Sequence, residues 1–234
     1  MLRRAVTMDA NLRLAWTQIV TADDYEQHMA GIGQAQAAAT LNRQIIEAAK
    51  PPDGSHVVIA GAGTGQMFDF LDPALFRSFR LTCTDLNRSF LARLEERLAE
   101  HALRATILVD DIEQTALEPG PALLLATLLL EHIDWRRGVE VFAELRPTAC
   151  GIIIQENPQG MTSAVTPGRS TPPSVAKAVE TAHAKLVPLD ELLAAFEERG
   201  YQRQVSYAEH AADGKRLIAV LFFRDHSYQR KTAR

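Results

Sequence analysis

An α/β fold on a mostly parallel sheet is what this sequence predicts, and three observations predict it. A β-branched apolar run, Val57-Val58-Ile59-Ala60, feeds three glycines spaced two apart, Gly61, Gly63 and Gly65. From there to residue 199, apolar runs of strand length alternate with segments of helix length. The chain then closes with Tyr201 to Tyr207 and Leu217 to Phe223 on either side of Ala212-Asp213-Gly214-Lys215, which reads as a final antiparallel pair.

Composition narrows the possibilities. The 234 residues suit one large α/β domain with additions, and 47% hydrophobic content supplies a core. Charged residues are 23% and the net charge is -4, which speaks against a nucleic-acid surface; the basic tail Arg224 to Arg234 is short and reads as a solvated end. Cys83 and Cys150 lie inside apolar runs, so they are expected to be buried and free. Met1-Leu2-Arg3-Arg4 is not followed by an apolar segment, and no apolar run reaches 18 residues. Neither a signal peptide nor a membrane span is expected, so the expected setting is cytoplasmic, with no membrane partner.

The elements follow in order. Residues 9–20 form an amphipathic helix with Leu12, Leu14, Trp16 and Ile19 as its apolar members. Thr21 and Asp24 approach a capping box that starts a second helix, and Gly31-Ile32-Gly33 breaks it. Residues 34–50 are Ala-rich and helical, and Pro51-Pro52-Asp53-Gly54 ends that helix. This block, 1–50, precedes the first strand and so stands outside the sheet. Tyr25, His28 and Met29 share a helix face at i, i+3, i+4, and Gln34 follows the glycine break. Residues 1–50 are therefore expected to be a helical lid; the competing reading packs them on the outer face of the sheet. Residues 51–225 form the α/β domain, and 226–234 a tail.

Within that domain, Gln66 to Leu71 reads as the first turn of a helix and Leu81 to Thr84 as the second strand. Phe90 to His101 is a helix with Leu91, Leu94 and Leu98 on one face and Arg93, Glu96 and Arg97 on another. Ala105 to Val109 is the third strand. Ala122 to Leu130, wholly apolar, is the fourth and central one. Asp134 caps a helix over 135–145, Gly151 to Ile154 is the fifth strand, and Leu189 to Arg199 is a helix stopped by Gly200.

Strand, glycine turn and helix together make a cradle at the carboxyl end of a parallel strand. The spacing G-x-G-x-G is one residue tighter than the dinucleotide fingerprint, and no G-x-x-x-x-G-K-[ST] is present. Asp85 follows Gly65 by twenty residues, at the end of the next apolar run. An acid there can accept both hydroxyls of a ribose. The pattern points to an adenosine without a diphosphate.

At these residues the chain resembles the class I S-adenosylmethionine-dependent methyltransferases over roughly residues 50 to 225. Gly61, Gly63 and Gly65 match their first motif and Asp85 the ribose-binding acid of the second. Asp110-Asp111-Ile112 is similar to the third, adenine-contacting motif, and Leu130-Glu131-His132-Ile133 to the strand-4 ending of small-molecule members. The resemblance implies a Rossmann-like seven-stranded sheet of order 3-2-1-4-5-7-6 with the seventh strand antiparallel. It also implies S-adenosylmethionine as co-substrate and no metal. The cofactor set it implies is Gly61, Ala62, Gly63, Thr64, Gly65, Gln66, Asp85, Leu86, Asp110, Asp111, Ile112, Thr127 and Leu128, with Met29 and Gln34 added from the N-terminal block. One departure stands out: the acid expected two positions before the first glycine is Ile59.

Four residues are catalytic candidates. Tyr25 offers a ring to a sulfonium. His132, with Glu131 beside it, follows a nine-residue apolar run and either orients a nucleophile or takes its proton; alternatively His132 caps the strand end and Glu131 accepts glycine-loop amides. Glu156 and Asn157 follow the fifth strand with Gln155 and read as substrate-facing. Trp135 reads equally as a wall of the site or as core, Arg169 as a carboxylate partner or a solvated side chain, and His183 as exposed. Pro158 to Pro173 reads as a functional loop.

The leading expectation is methyl transfer to a small-molecule acceptor. The alternative is a non-methylating use of the cofactor resembling the azetidine-2-carboxylate synthases, in which its own amine displaces sulfur and methylthioadenosine is released. A non-catalytic adenosyl sensor is the third reading. No oligomeric state follows from the pattern.

Overall fold

Every apolar run of strand length enters one seven-stranded sheet in the computed structural model, which describes residues 10–161, 164–165, 171–182, 184–211 and 214–225. The strands are β1 His56–Ala60, β2 Arg80–Asp85, β3 Ala105–Val109, β4 Leu123–Thr127, β5 Ala149–Glu156, β6 Tyr201–His210 and β7 Arg216–Arg224. Their order is β3-β2-β1-β4-β5-β7-β6, with β7 antiparallel to both neighbours and the other pairs parallel. That is the order implied by the resemblance. The direction of winding reverses between β1 and β4, where an open α/β sheet leaves a crevice beyond its strand ends.

Side chains alternate across each strand, so each face has its own core. Val57, Ile59, Leu125 and Ile153 lie on one face with Leu41 and Ile45 of helix α3, Gln34–Ala49, and Leu94 of α4, Arg88–Glu100. Val58, Leu124 and Ile152 lie on the other with Val139 and Phe142 of α5, Trp135–Leu145, and Leu192 and Phe196 of a later helix, Leu189–Glu197. Another helix, Pro173–Thr181, adds Val175 and Ala178 to that side. Cys83 and Cys150 are buried and free, and Trp135 is a core residue, 8% exposed under the Arg136 guanidinium.

The N-terminal block divides. Helix α1, Ala10–Leu14, runs into a π-helical turn, Ala15–Ile19, and then α2, Ala22–Gly31, whose cap Thr21 accepts the Asp24 N–H at 3.2 Å. These segments reach over the strand ends. By contrast, α3 packs on the sheet: a Cβ on Gly151 would stand 2.4 Å from the Ile45 side chain.

Several boundaries differ from expectation, each for a physical reason. The π turn widens the first helix, so Leu12 and Ala15 are buried while Leu14 is 40% exposed. Gln66–Phe70 is a 3₁₀ turn rather than an α-helix, because Asp72-Pro73 follows and the residue before proline leaves the helical region. Strand β4 stops at Thr127. The run stays apolar beyond it because Leu130 enters the core from a 3₁₀ turn, Leu130–His132, while Leu128 and Leu129 face the strand-end cleft. Strand β5 extends to Glu156 because β7 pairs along its whole length, from Ala149↔Phe223 to Glu156↔Arg216. Arg169, His183, Ala212-Asp213 and the tail 226–234 lie outside the described residues. No helix among those described is long and apolar enough to cross a membrane.

Candidate active site

A cleft opens beyond the carboxyl ends of β1, β2, β3 and β4, where an open α/β sheet seats its ligands. Gly61 and Gly63 form its floor. Gly63 has φ +58°, and a Cβ on it would point at the Tyr25 ring 3.5 Å away, so the backbone itself is the surface a ligand meets. Gly65 has a different reason: a Cβ there would come within 2.3 Å of Leu94, so it permits close packing against α4. Ala62, Thr64, Gly65 and Gln66 shape the loop without lining the cleft. Ala62 N–H donates to Thr84 O, Thr64 is buried, and the Gln66 amide donates to Glu26 O.

Asp85 lies above the loop. One carboxylate oxygen accepts the Gly63 N–H at 2.9 Å and the other the Asn87 N–H at 2.8 Å. Burial pushes its carboxyl up from the ordinary range, and the amides of Asn87, Gly63 and Leu86 pull it back. Leu86 and Ile112 line the cleft as an apolar pair beside Asp110 and Asp111. Asp110 is held by the Thr115 hydroxyl at 2.7 Å and the Ala116 N–H, whereas Asp111 caps the next turn and pairs with Arg13 of α1. Thr127 bonds Asn42 of α3 at 3.0 Å, and Leu128 takes φ +52°.

From the N-terminal segments, Trp16, Tyr25, His28, Met29 and Ile32 close one side. The Tyr25 ring stacks on Phe90 at 4.9 Å and meets Trp16 edge-on at 6.0 Å. Its hydroxyl is pushed well above the ordinary range by burial, then by Asp85 and Glu26. Trp16 donates its indole N–H to His132 Nδ1 at 3.0 Å. An indole only donates, so Nδ1 is an acceptor and a neutral ring carries its proton on Nε2. Burial lowers the His132 pKa to about 4, so at neutral pH the ring is uncharged.

The strand-5 candidates separate by alternation. Gln155, 4% exposed, turns inward to the cleft and accepts the Gln34 amide at 2.9 Å. Glu156 turns outward and pairs with Arg216. Asn157 bonds the Gln155 amide at 2.6 Å and stands behind it, not in the cleft. The structure thus places Glu156 and Asn157 outside the cleft and Gln155 inside it. Glu131 accepts the Gln155 backbone N–H at 2.7 Å rather than amides of the glycine loop. Trp16 and Lys215, the latter 2% exposed with its ammonium on Ala164 O at 3.3 Å, also line the cleft and were not marked by any sequence motif, whereas Glu131, in the strand-4 ending, lines it as a wall. Among the described residues no group of three or more His, Cys, Asp or Glu is placed to hold a metal.

Residues 57–148 match the family model described as "Methyltransferase domain". No curated protein sequence matches the chain. Among solved structures it is similar to the magnesium protoporphyrin IX methyltransferase ChlM from Synechocystis PCC 6803 with bound SAH: TM-score 0.63, 13% identity, 82% of this chain and 84% of that one. It is similar also to the [4+2]-cyclase SpnF (TM-score 0.61, 13% identity, 81% and 82%). A third is the N-methyltransferase NodS from Bradyrhizobium japonicum WM9 in complex with S-adenosyl-L-homocysteine (TM-score 0.54, 14% identity, 80% and 85%). The chain has the class I S-adenosylmethionine-dependent methyltransferase fold, and the matched segment, residues 57–148, spans its first four strands.

Proposed function

We propose that this protein is an S-adenosylmethionine-dependent enzyme that transfers a methyl group to a small-molecule acceptor. One observation carries the reading: the Asp85 carboxylate is held by the Gly63 and Asn87 amides directly over a bare glycine backbone, inside a cleft at the switch point. The residues present fit the cofactor. Asp85 would accept the ribose hydroxyls, Leu86 and Ile112 would flank the adenine, and Gly63, at φ +58°, would present bare backbone to the cofactor. The cofactor supplies an activated methyl on a sulfonium, and the work left to the protein is alignment and the exclusion of water.

Tyr25 presents an aromatic ring to a cation. His132, uncharged and fixed by Trp16, serves as a hydrogen-bond donor through Nε2 that orients an acceptor, not as the base that takes its proton. The segments before Gly33 act as the lid over this space. A small, lid-covered cleft suits a metabolite and not a macromolecule.

The second reading, displacement of sulfur by the cofactor's own amine, is supported by Ile59 at the position of the missing acid and by the cover that residues 10–32 place over the cleft. In that reaction a C–N bond forms, the C–S bond breaks, and methylthioadenosine leaves. Incubation with S-adenosylmethionine, with and without a metabolite extract, followed by mass spectrometry, separates the two. S-adenosylhomocysteine that forms only with extract supports methyl transfer. Methylthioadenosine formed from the cofactor alone overturns it in favour of the second reading, and no enzyme-dependent adenosyl product overturns both.

A further inference from the structure

Glu131 is 2% exposed, yet it lines the cleft. One carboxylate oxygen accepts the Gln155 N–H, while the other, Oε2, is buried with no partner. A buried carboxylate oxygen left open is costly, and nothing in the fold's own hydrogen bonding uses it. Beside it, Gln34 and Gln155 are each 4% exposed and joined side chain to side chain at 2.9 Å. Gln34 spends one of its two N–H groups on the Gln155 oxygen, and its carbonyl oxygen is a further acceptor beside Glu131. The cation lining the cleft, Lys215, has its ammonium on the Ala164 carbonyl. This buried end of the cleft therefore offers acceptors and asks for a donor. A primary amine or ammonium carries two or three N–H groups, the matching chemistry.

We propose that Glu131, with the Gln34 carbonyl, is an amine-binding group, and that it takes over the role left vacant by Ile59. The inference rests on the adenosyl-cofactor reading. The amine has two possible sources, the α-amino group of the cofactor itself or an amino group on the acceptor. Either fits the carboxylate's state: burial holds Glu131 at about 7, so an arriving cation has a carboxylate ready to ionise beside it.

The test measures amine discrimination by titration calorimetry on the full chain. In the first arm, S-adenosylhomocysteine is compared with S-adenosyl-4-mercaptobutyrate, which lacks only the amino group. In the second, protein saturated with S-adenosylhomocysteine is titrated with n-butylamine and with n-butanol. The parent is expected to prefer the amine by at least about tenfold in one arm, and Glu131→Gln, whose oxygen can still accept the Gln155 N–H, to lose that preference. Loss in the first arm assigns the cofactor's amine; loss in the second assigns the acceptor's. Glu131→Asp, which withdraws the oxygen by one methylene, is expected to weaken the same ligand and serves if the Gln variant does not fold. No preference in either arm, or a preference that both variants retain, overturns the proposal. Methylthioadenosine lacks the aliphatic amino group, so its binding to parent and variants reports on the adenosyl reading alone; failure of every adenosyl ligand to bind the parent overturns both.

Discussion

Replacing Glu131 by Gln should change how stability depends on pH, in a direction the structure fixes. Burial raises the Glu131 carboxyl from 4.5 to about 7. Between those values the unfolded chain has released a proton that the folded chain keeps. The stability contributed by this group is complete below about pH 4.5 and is lost as pH rises through about 7. At about 1.36 kcal/mol per pH unit, the gap between the two values limits the loss to about 3 kcal/mol. His132, next in the chain, acts in the opposite sense. Burial lowers it from 6.5 to about 4, so its destabilisation grows as pH falls below 6.5. Part of its ring opens on the cleft, which holds that effect to about 1–2 kcal/mol. In the parent the two oppose each other through the mildly acidic range; in Glu131→Gln the His132 effect stands alone. Urea denaturation of both ligand-free proteins from pH 4.5 to 8 reads this directly, because every shared group cancels in the difference. The advantage of the parent over the variant should shrink by about 2–3 kcal/mol across that range and level off above pH 7. A difference that is flat, or that grows toward pH 8, would refute the assignment of a raised carboxyl at Glu131.

Asp85→Ala should weaken S-adenosylhomocysteine binding at least about tenfold in a folded protein, since charge-assisted bonds contribute about 1.5–3 kcal/mol each; unchanged calorimetric affinity would remove Asp85 from the site. Gly63→Val should abolish that binding, because the left-handed φ costs about 1–2 kcal/mol and the side chain fills the cradle; normal binding by equilibrium dialysis would mean that the loop holds no ligand. Trp16→Phe keeps the edge-on aromatic contacts but strips the donor from His132, so it should cost about 1–3 kcal/mol in stability. Its ¹⁵N spectrum should show His132 released from the Nε2–H form, and identical imidazole shifts in parent and variant would argue against the bond. Tyr25→Leu should lower both turnover and cofactor affinity, and a variant matching the parent in both would reduce Tyr25 to packing.

The sheet was legible because its signals are local. A β-branched run into Gly61, the fully apolar β4 and the cap at Asp134 each fix an element without help from distant residues. Hydrophobic period alone could not say where β4 ends, since Leu128 and Leu129 are apolar for the cleft's sake and Leu130 for the core's. Strand length decided the fate of Gln155 and Glu156: two more residues of pairing with β7 turned one inward and the other to Arg216. The buried role of Arg97 was hidden for a related reason. Its helix face looks solvent-facing in sequence, yet it is 9% exposed, paired with Glu26 of α2, with Asp69 and with the Thr64 carbonyl. Trp16 meets His132 across 116 positions of sequence, a pairing with no local signature.

Those long-range contacts bear on whether the N-terminal segments can open as a lid. Three of them tie the segments to the strand-end loops and to α4: Arg13 to Asp111, Trp16 to His132, and Glu26 to Arg97. Breaking a buried ion pair is prohibitive when it strands a charge. Here it does not. Arg97 also holds both oxygens of Asp69, at 2.9 and 3.0 Å, and the Thr64 carbonyl of the glycine loop, so losing Glu26 leaves it paired. Glu26 and Asp111 would move toward water, and His132 is already neutral. Opening gives up more than these three: the ion pairs of Arg93 with Asp23 and Glu26, the Asn87 amide bonds to the Trp16 and Val20 carbonyls, the Gln66 amide bond to Glu26 O, the Thr21 and Asp24 bonds to Ser174, and the packing of Tyr25 and Trp16 on Phe90 go with them. Those aromatic contacts are also the ones that close over Gly63. A ligand in the cleft that touches the Tyr25 ring therefore adds contacts only in the closed state, and that differential contact shifts the lid toward closure.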